Sequence, residues 1–106
     1  MKIVIINGPN LNMLGKREPS IYGTRSMEQV LVDIQRAHMD VHFHYLQSNH
    51  EGDLIDWIQN YGNEAMRREG DEATGIVLNA GGYTHTSVAL RDAVACAEIP
   101  VVEVHI

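Results

Sequence analysis

Four short runs rich in β-branched and aliphatic residues recur along the chain with helix-period segments between them, and this alternation constrains the fold more than any other feature. The runs are "KIVIIN" (2 to 7), "VHFHYLQ" (41 to 47), "GIVLN" (75 to 79) and "VVEVHI" (101 to 106). Two of them are apolar on both faces, as strands of a covered parallel sheet are. The first intervening segment opens on a capping box, Ser26 with Gln29 three residues on, followed by Met27, Val30, Leu31, Ile34 and Ala37 at helical spacing. Leu54, Ile55, Ile58 and Tyr61 predict a second helix, with Trp57 packed inside it and Gly62 a weak point within it or near its end. A third is predicted from Ser87 through "VALRDAVACA", before Pro100 enforces an extended start to the last strand. The order β-α-β-α-β-α-β implies right-handed crossovers and a parallel α/β sheet with helices on both faces.

A chain of 106 residues is expected to form one domain spanning residues 1 to 106. A formal charge of -6, with fourteen acidic side chains against eight scattered basic ones, argues against a nucleic-acid partner. No run is long enough to cross a bilayer, so neither a membrane partner nor a signal segment is expected. The single cysteine, Cys96, lies in an Ala- and Val-rich stretch and reads as a buried free thiol in a reducing, cytoplasmic compartment.

The architecture carries a functional statement of its own. In open parallel sheets the ligand lies beyond the carboxyl ends of the strands, where loops converge. Asn7, Asn10, Arg17 and Tyr22 follow the first strand, Asn79 and His85 follow the third, and His105 closes the fourth. Within "NAGGYTHTS", Gly81 and Gly82 supply a turn and Thr84, Thr86 or Ser87 a helix cap, leaving helix amides beside Asn79 and His85 for an anionic substrate. Glu103 and His105 alternate onto one strand face, as either an imidazole with its orienting carboxylate or a structural ion pair. His42 and His44 share a strand face without an evident third ligand, so a partly exposed face is expected there and no metal. His38 and His50 read as surface residues. "NGPNLNMLG" has neither the glycine spacing of a dinucleotide fingerprint nor the Gly-Lys-Ser/Thr of a P-loop.

The segments "INGPNLNMLGKREPSIYG", "QSNHEGDLIDWI", "LNAGGYTHTSVALRDA" and "VVEVHI" together closely resemble the type II 3-dehydroquinate dehydratases, from residue 3 to the last. The resemblance implies a flavodoxin-like fold and the removal of water from 3-dehydroquinate to give 3-dehydroshikimate in the shikimate pathway, through an enolate and without metal or other cofactor. Tyr22 matches the family's base. A phenol ionises near pH 10 and needs a neighbouring cation to act near neutrality. Arg17 is the obvious source: a unit charge ~4 Å away at an effective dielectric of ~20 supplies about 4 kcal/mol before desolvation. Asn10 matches the residue holding a water against the enolate oxygen, and His105 the acid that protonates the departing hydroxyl, with Glu103 beside it. Asn79 and His85 match contacts to substrate hydroxyls, and the Ile106 amide a contact to the carboxylate. Asp92, with Arg91, resembles residues at a subunit contact in trimers assembled into a dodecamer. Family members continue into a fifth strand and last helix, so either a longer polypeptide or coverage of the fourth strand by neighbouring subunits is expected. A flavodoxin-like module that binds a polyhydroxylated carboxylate without turning it over is the alternative.

Overall fold

The computed structural model describes residues 1 to 16, 20, 25 to 63, 66 and 72 to 105. Its strands are β1 (Lys2–Asn7), β2 (His42–Gln47), β3 (Thr74–Asn79) and β4 (Val101–Glu103), and its helices α1 (Met27–Ala37), α2 (Glu51–Gly62), α3 (Tyr83–Thr86) and α4 (Val88–Ala95). The sheet is parallel with strand order β2-β1-β3-β4. The chain therefore leaves β1 in one direction to make β2 and returns in the other to make β3 and β4. With right-handed crossovers, that reversal sends α1 to one face and α2 and α4 to the other.

Side-chain alternation agrees with this division. Val4, Ile6, Ile76 and Leu78 point from the sheet into a core completed by Leu54 and Ile58 of α2 and Leu90 and Ala93 of α4. Ile5 and Val77, paired in register between them, face the other side. At the end of α1 the His38 ring lies 6.4 Å from that of Phe43. The expected capping box is present: Gln29 N–H donates to Ser26 Oγ at 3.2 Å, and Ser26 N–H to Gln29 Oε1 at 2.9 Å. Gly62 ends α2, and its carbonyl accepts Glu98 N–H at 2.7 Å. Trp57 packs against the core as expected.

Three details depart from the sequence reading. The fourth strand was expected to run to residue 106, but β4 stops at Glu103. Val104 N–H still reaches Leu78 O at 2.9 Å, and beyond this the chain after β3 turns away, its Ala80 carbonyl lying against Gly8 on the β1 side and accepting Tyr83 N–H at 3.3 Å. The second departure is α3, a single helical turn inside what reads as a glycine turn and cap. The third is Cys96, which is exposed. The inward stripe of this segment runs through Leu90, Ala93 and Ala97, and Cys96 falls beside it.

At the amino edge of the sheet, the Met1 ammonium donates to Glu72 Oε2 at 2.8 Å and His42 Nδ1 lies 2.6 Å from Glu72 Oε1. These two partners, the ammonium first, hold the Glu72 carboxyl at about 2 instead of 4.5. A carboxylate depressed in the folded state contributes stability above its unfolded value and loses it as pH falls through the folded one. Carboxyl NMR should therefore find Glu72 titrating near 2, and Glu72→Gln should flatten the acid limb of the stability profile between about pH 4.5 and 2; a midpoint at the ordinary carboxylate value would contradict the arrangement.

Candidate active site

The strand order reverses at the β1/β3 pair, the place where an open parallel sheet presents a crevice for ligand. Here the loops after the two strands meet backbone to backbone. Gly8 N–H donates to Asn79 O at 2.7 Å, and a Cβ on Gly8 would lie 2.6 Å from the Ala80 carbonyl oxygen. Gly81 turns the other loop in the left-handed region, with φ +60 and its Cβ position 3.0 Å from Pro9 O. Glycine is required at Gly8 for the close approach and favoured at Gly81 for the turn.

Beyond this seam lies a cavity of about 230 Å³ lined by Asn10, Asn79, Gly81, Gly82, His85 and His105 together with apolar residues of the 9 to 14 loop. A second cavity of about 250 Å³ continues outward between α4 and the end of β4, with Ser87, Arg91 and Glu103 in its wall. His85 and His105 border both cavities, their rings stacked with centroids 6.4 Å apart. The two hollows thus form one open site with an imidazole pair between its halves.

Each polar group is set by its element. Asn79 is buried at the end of β3, where its Oδ1 accepts Gly81 N–H at 3.3 Å. Its amide NH2 is the end left for a ligand. Asn10 has φ 70 and ψ -4, the left-handed conformation, at the start of a single 3-10 turn (Leu11–Met13). Its side chain makes no capping bond, so it too remains available to the cavity.

Of the residues expected at the site, Asn10, Asn79, His85 and His105 come together around the inner cavity, and Glu103 joins the wall of the outer one. Glu103 and His105 were expected to alternate along one strand; β4 ends between them, and the described residues show no hydrogen bond joining them. Asp92 is exposed on α4 and lines neither hollow. Arg17, Tyr22 and Ile106 lie outside the described residues. Within the glycine turn Tyr83, Thr84 and His85 N–H donate to Ala80, Gly81 and Gly82 carbonyls at 3.2 to 3.3 Å, and at the start of α4 Leu90 N–H donates to Ser87 Oγ at 2.9 Å.

The sequence reading passed over Gln47 and Asn49, which tie the β1 loop to the end of β2. A signal for them existed, since both stand at the same carboxyl edge as the expected residues. The His42 and His44 face is exposed, and among the described residues no group of three or more His, Cys, Asp or Glu gathers as a metal site. No helix among the described residues is long and apolar enough to cross a membrane.

This fold and site define an open parallel α/β protein with a polar-lined crevice at its topological switch point. The family model for class II dehydroquinases matches residues 1 to 106. Among curated proteins, 3-dehydroquinate dehydratase 1 of Agrobacterium fabrum is 51% identical over 98% of this chain and 68% of its own length. The 3-dehydroquinate dehydratase of Fusobacterium nucleatum is also 51% identical, over 100% and 70%. The crystal structure of type II dehydroquinase from Butyrivibrio crossotus superposes with a TM-score of 0.84 at 44% identity, covering all of this chain and 70% of that one. The type II dehydroquinase from Propionibacterium acnes gives the same TM-score at 29% identity, over 99% and 68%. The chain belongs to the class II dehydroquinase family.

The seam makes a direct prediction. Gly8→Ala must push two backbones apart and should cost roughly 1–3 kcal/mol in a urea titration, with loss of activity. Gly52→Ala, on α2 with nothing within 4 Å of its Cβ position, should instead leave stability unchanged or raise it by about 0.5–1 kcal/mol. Equal stabilities for the two variants would contradict the reading of the seam.

Proposed function

We propose that the chain dehydrates 3-dehydroquinate to 3-dehydroshikimate in the shikimate pathway, through an enolate. The observation carrying this reading is the gathering of Asn10, Asn79, His85 and His105 around one cavity at the β1/β3 switch point, in a chain that matches the class II dehydroquinase model over residues 1 to 106. Relatives about half identical to it are named for this reaction.

The chemistry needs a base, a stabiliser for the enolate and an acid. Tyr22, ionised beside Arg17, takes a proton from the carbon next to the ketone, and the electron pair moves onto the ketone oxygen. Asn10, whose amide is free of capping duty, holds a water against that oxygen. The enolate then collapses, the β-hydroxyl departs, and a proton from His105 makes it water. Asn79 presents its NH2 and His85 its ring to the substrate hydroxyls. The Ile106 amide binds the carboxylate, and Glu103, which makes no hydrogen bond to His105 in this structure, supports that imidazole once substrate is bound. Neither lysine is well placed for an imine: Lys2 sits at the amino edge with its Nζ 5.0 Å from the Tyr61 ring centroid, and Lys16 is exposed. Residues 1 to 106 belong to one catalytic domain that extends further in the relatives, and exposed Asp92 is available to a neighbouring subunit in a trimer-based assembly.

Mixing the purified protein with 3-dehydroquinate should produce the ultraviolet absorbance of a conjugated enone. Tyr22→Phe and Arg17→Ala should each lower kcat by at least about 100-fold with the fold intact, and His105→Ala should lose turnover but keep binding. Binding of 3-dehydroquinate without enone formation would favour the module that holds the molecule unchanged.

A further inference from the structure

Asn10 is the one non-glycine residue with positive φ among the described residues, and its backbone is held from outside its own loop. Its N–H donates to Asn49 Oδ1 at 3.0 Å. The same oxygen accepts Gln47 Nε2 at 3.3 Å, while that Nε2 also donates to Gly8 O at 3.2 Å. Gln47 and Asn49 thus bracket the β1 loop at both ends of the Gly8 to Asn10 segment. The main chain of Asn49 is fixed in turn, because its carbonyl accepts the Tyr83 hydroxyl from α3 at 3.1 Å.

The left-handed region is disfavoured for residues with a Cβ, and asparagine tolerates it better than most. Tolerance does not select it. Asn49 Oδ1 at the Asn10 N–H fixes the peptide plane before residue 10, and Met13 N–H, donating to Asn10 O at 3.0 Å, fixes the plane after it, so φ and ψ at residue 10 change only if one of the two bonds is broken. Because φ and ψ at residue 10 set the direction of its Cβ, they also set where its amide group meets the cavity. Asn49 itself does not line the cavity.

We infer that Asn49 is a positioning residue for the reaction, holding Asn10 in the left-handed conformation that aims its side chain at the enolate site. The role of Asn10 rests on the proposed dehydration; the hold on its backbone does not. An acceptor oxygen is what the position requires, so aspartate can replace asparagine there and alanine cannot.

The test compares Asn49→Ala and Asn49→Asp with the unaltered chain by steady-state kinetics and by amide hydrogen exchange at Asn10. Asn49→Ala should lower kcat roughly 10- to 100-fold, with KM within about twofold, since the displaced group acts in the transition state. Asn49→Asp should restore kcat to within about threefold. The Asn10 amide should be protected in the unaltered chain and in Asn49→Asp, and exchange at least about tenfold faster in Asn49→Ala. Three results would each overturn the inference: an unprotected Asn10 amide in the unaltered chain, undiminished kcat in Asn49→Ala, or equal impairment of both variants. The first needs no variant to fold. An unaltered chain that forms no enone would contradict the dehydration and, with it, the catalytic role of Asn49, leaving exchange to decide the hold on the backbone.

Discussion

The site depends on the approach of two main chains. The Gly8 N–H donates to the Asn79 carbonyl at 2.7 Å, at the point where β1 and β3 end together, and the Ala80 carbonyl occupies the space a side chain on residue 8 would need. This contact joins the loop carrying Asn10 to the loop carrying His85. Both loops grow from strands whose inner faces are fully buried, Val4 and Ile6 on β1 and Ile76 and Leu78 on β3. Close packing there leaves little room for the strands to shift, and preorganised polar groups at their ends inherit that rigidity.

The two edges of the sheet differ in kind. At the amino edge, Met1, His42 and Glu72 form an exposed charge cluster that fastens the start of the chain. At the carboxyl edge the inner cavity is lined by amide and imidazole side chains, and the asparagines keep bonding capacity that the fold does not use. Asn79 is buried yet spends only its carbonyl oxygen on the Gly81 turn. Burying an amide with one end unspent is costly unless a ligand or water completes it. The cost falls where a substrate would meet it.

The first three strands and the first two helices were legible because each has a strong local signal: β-branched runs for β1 and β3, the Ser26 capping box for α1, and the Leu54, Ile58 stripe for α2. The edge that gathers Asn10, Asn79, His85 and His105 was also legible, since strand alternation and topology alone bring those residues to one side. What escaped was decided by tertiary hydrogen bonds. Four residues are too few to show a helical period, so α3 was hidden, and "VVEVHI" does not announce that β4 stops at Glu103. The bracket formed by Gln47 and Asn49 joins residues 39 positions apart. No local pattern encodes such a partnership. Cys96 was misjudged because apolar neighbours in sequence are not neighbours on a helix face.

The central claim is that ligand enters at the carboxyl edge, against the joined β1 and β3 loops. Backbone amide NMR of the full chain titrated with 3-dehydroquinate tests it most directly. The account predicts shifts at Asn10, Gly81, Gly82 and His85, with Lys2, His42 and Glu72 at the opposite edge unmoved. Shifts centred on the His42 and Glu72 cluster, with Asn10 and Gly81 unchanged, would contradict it.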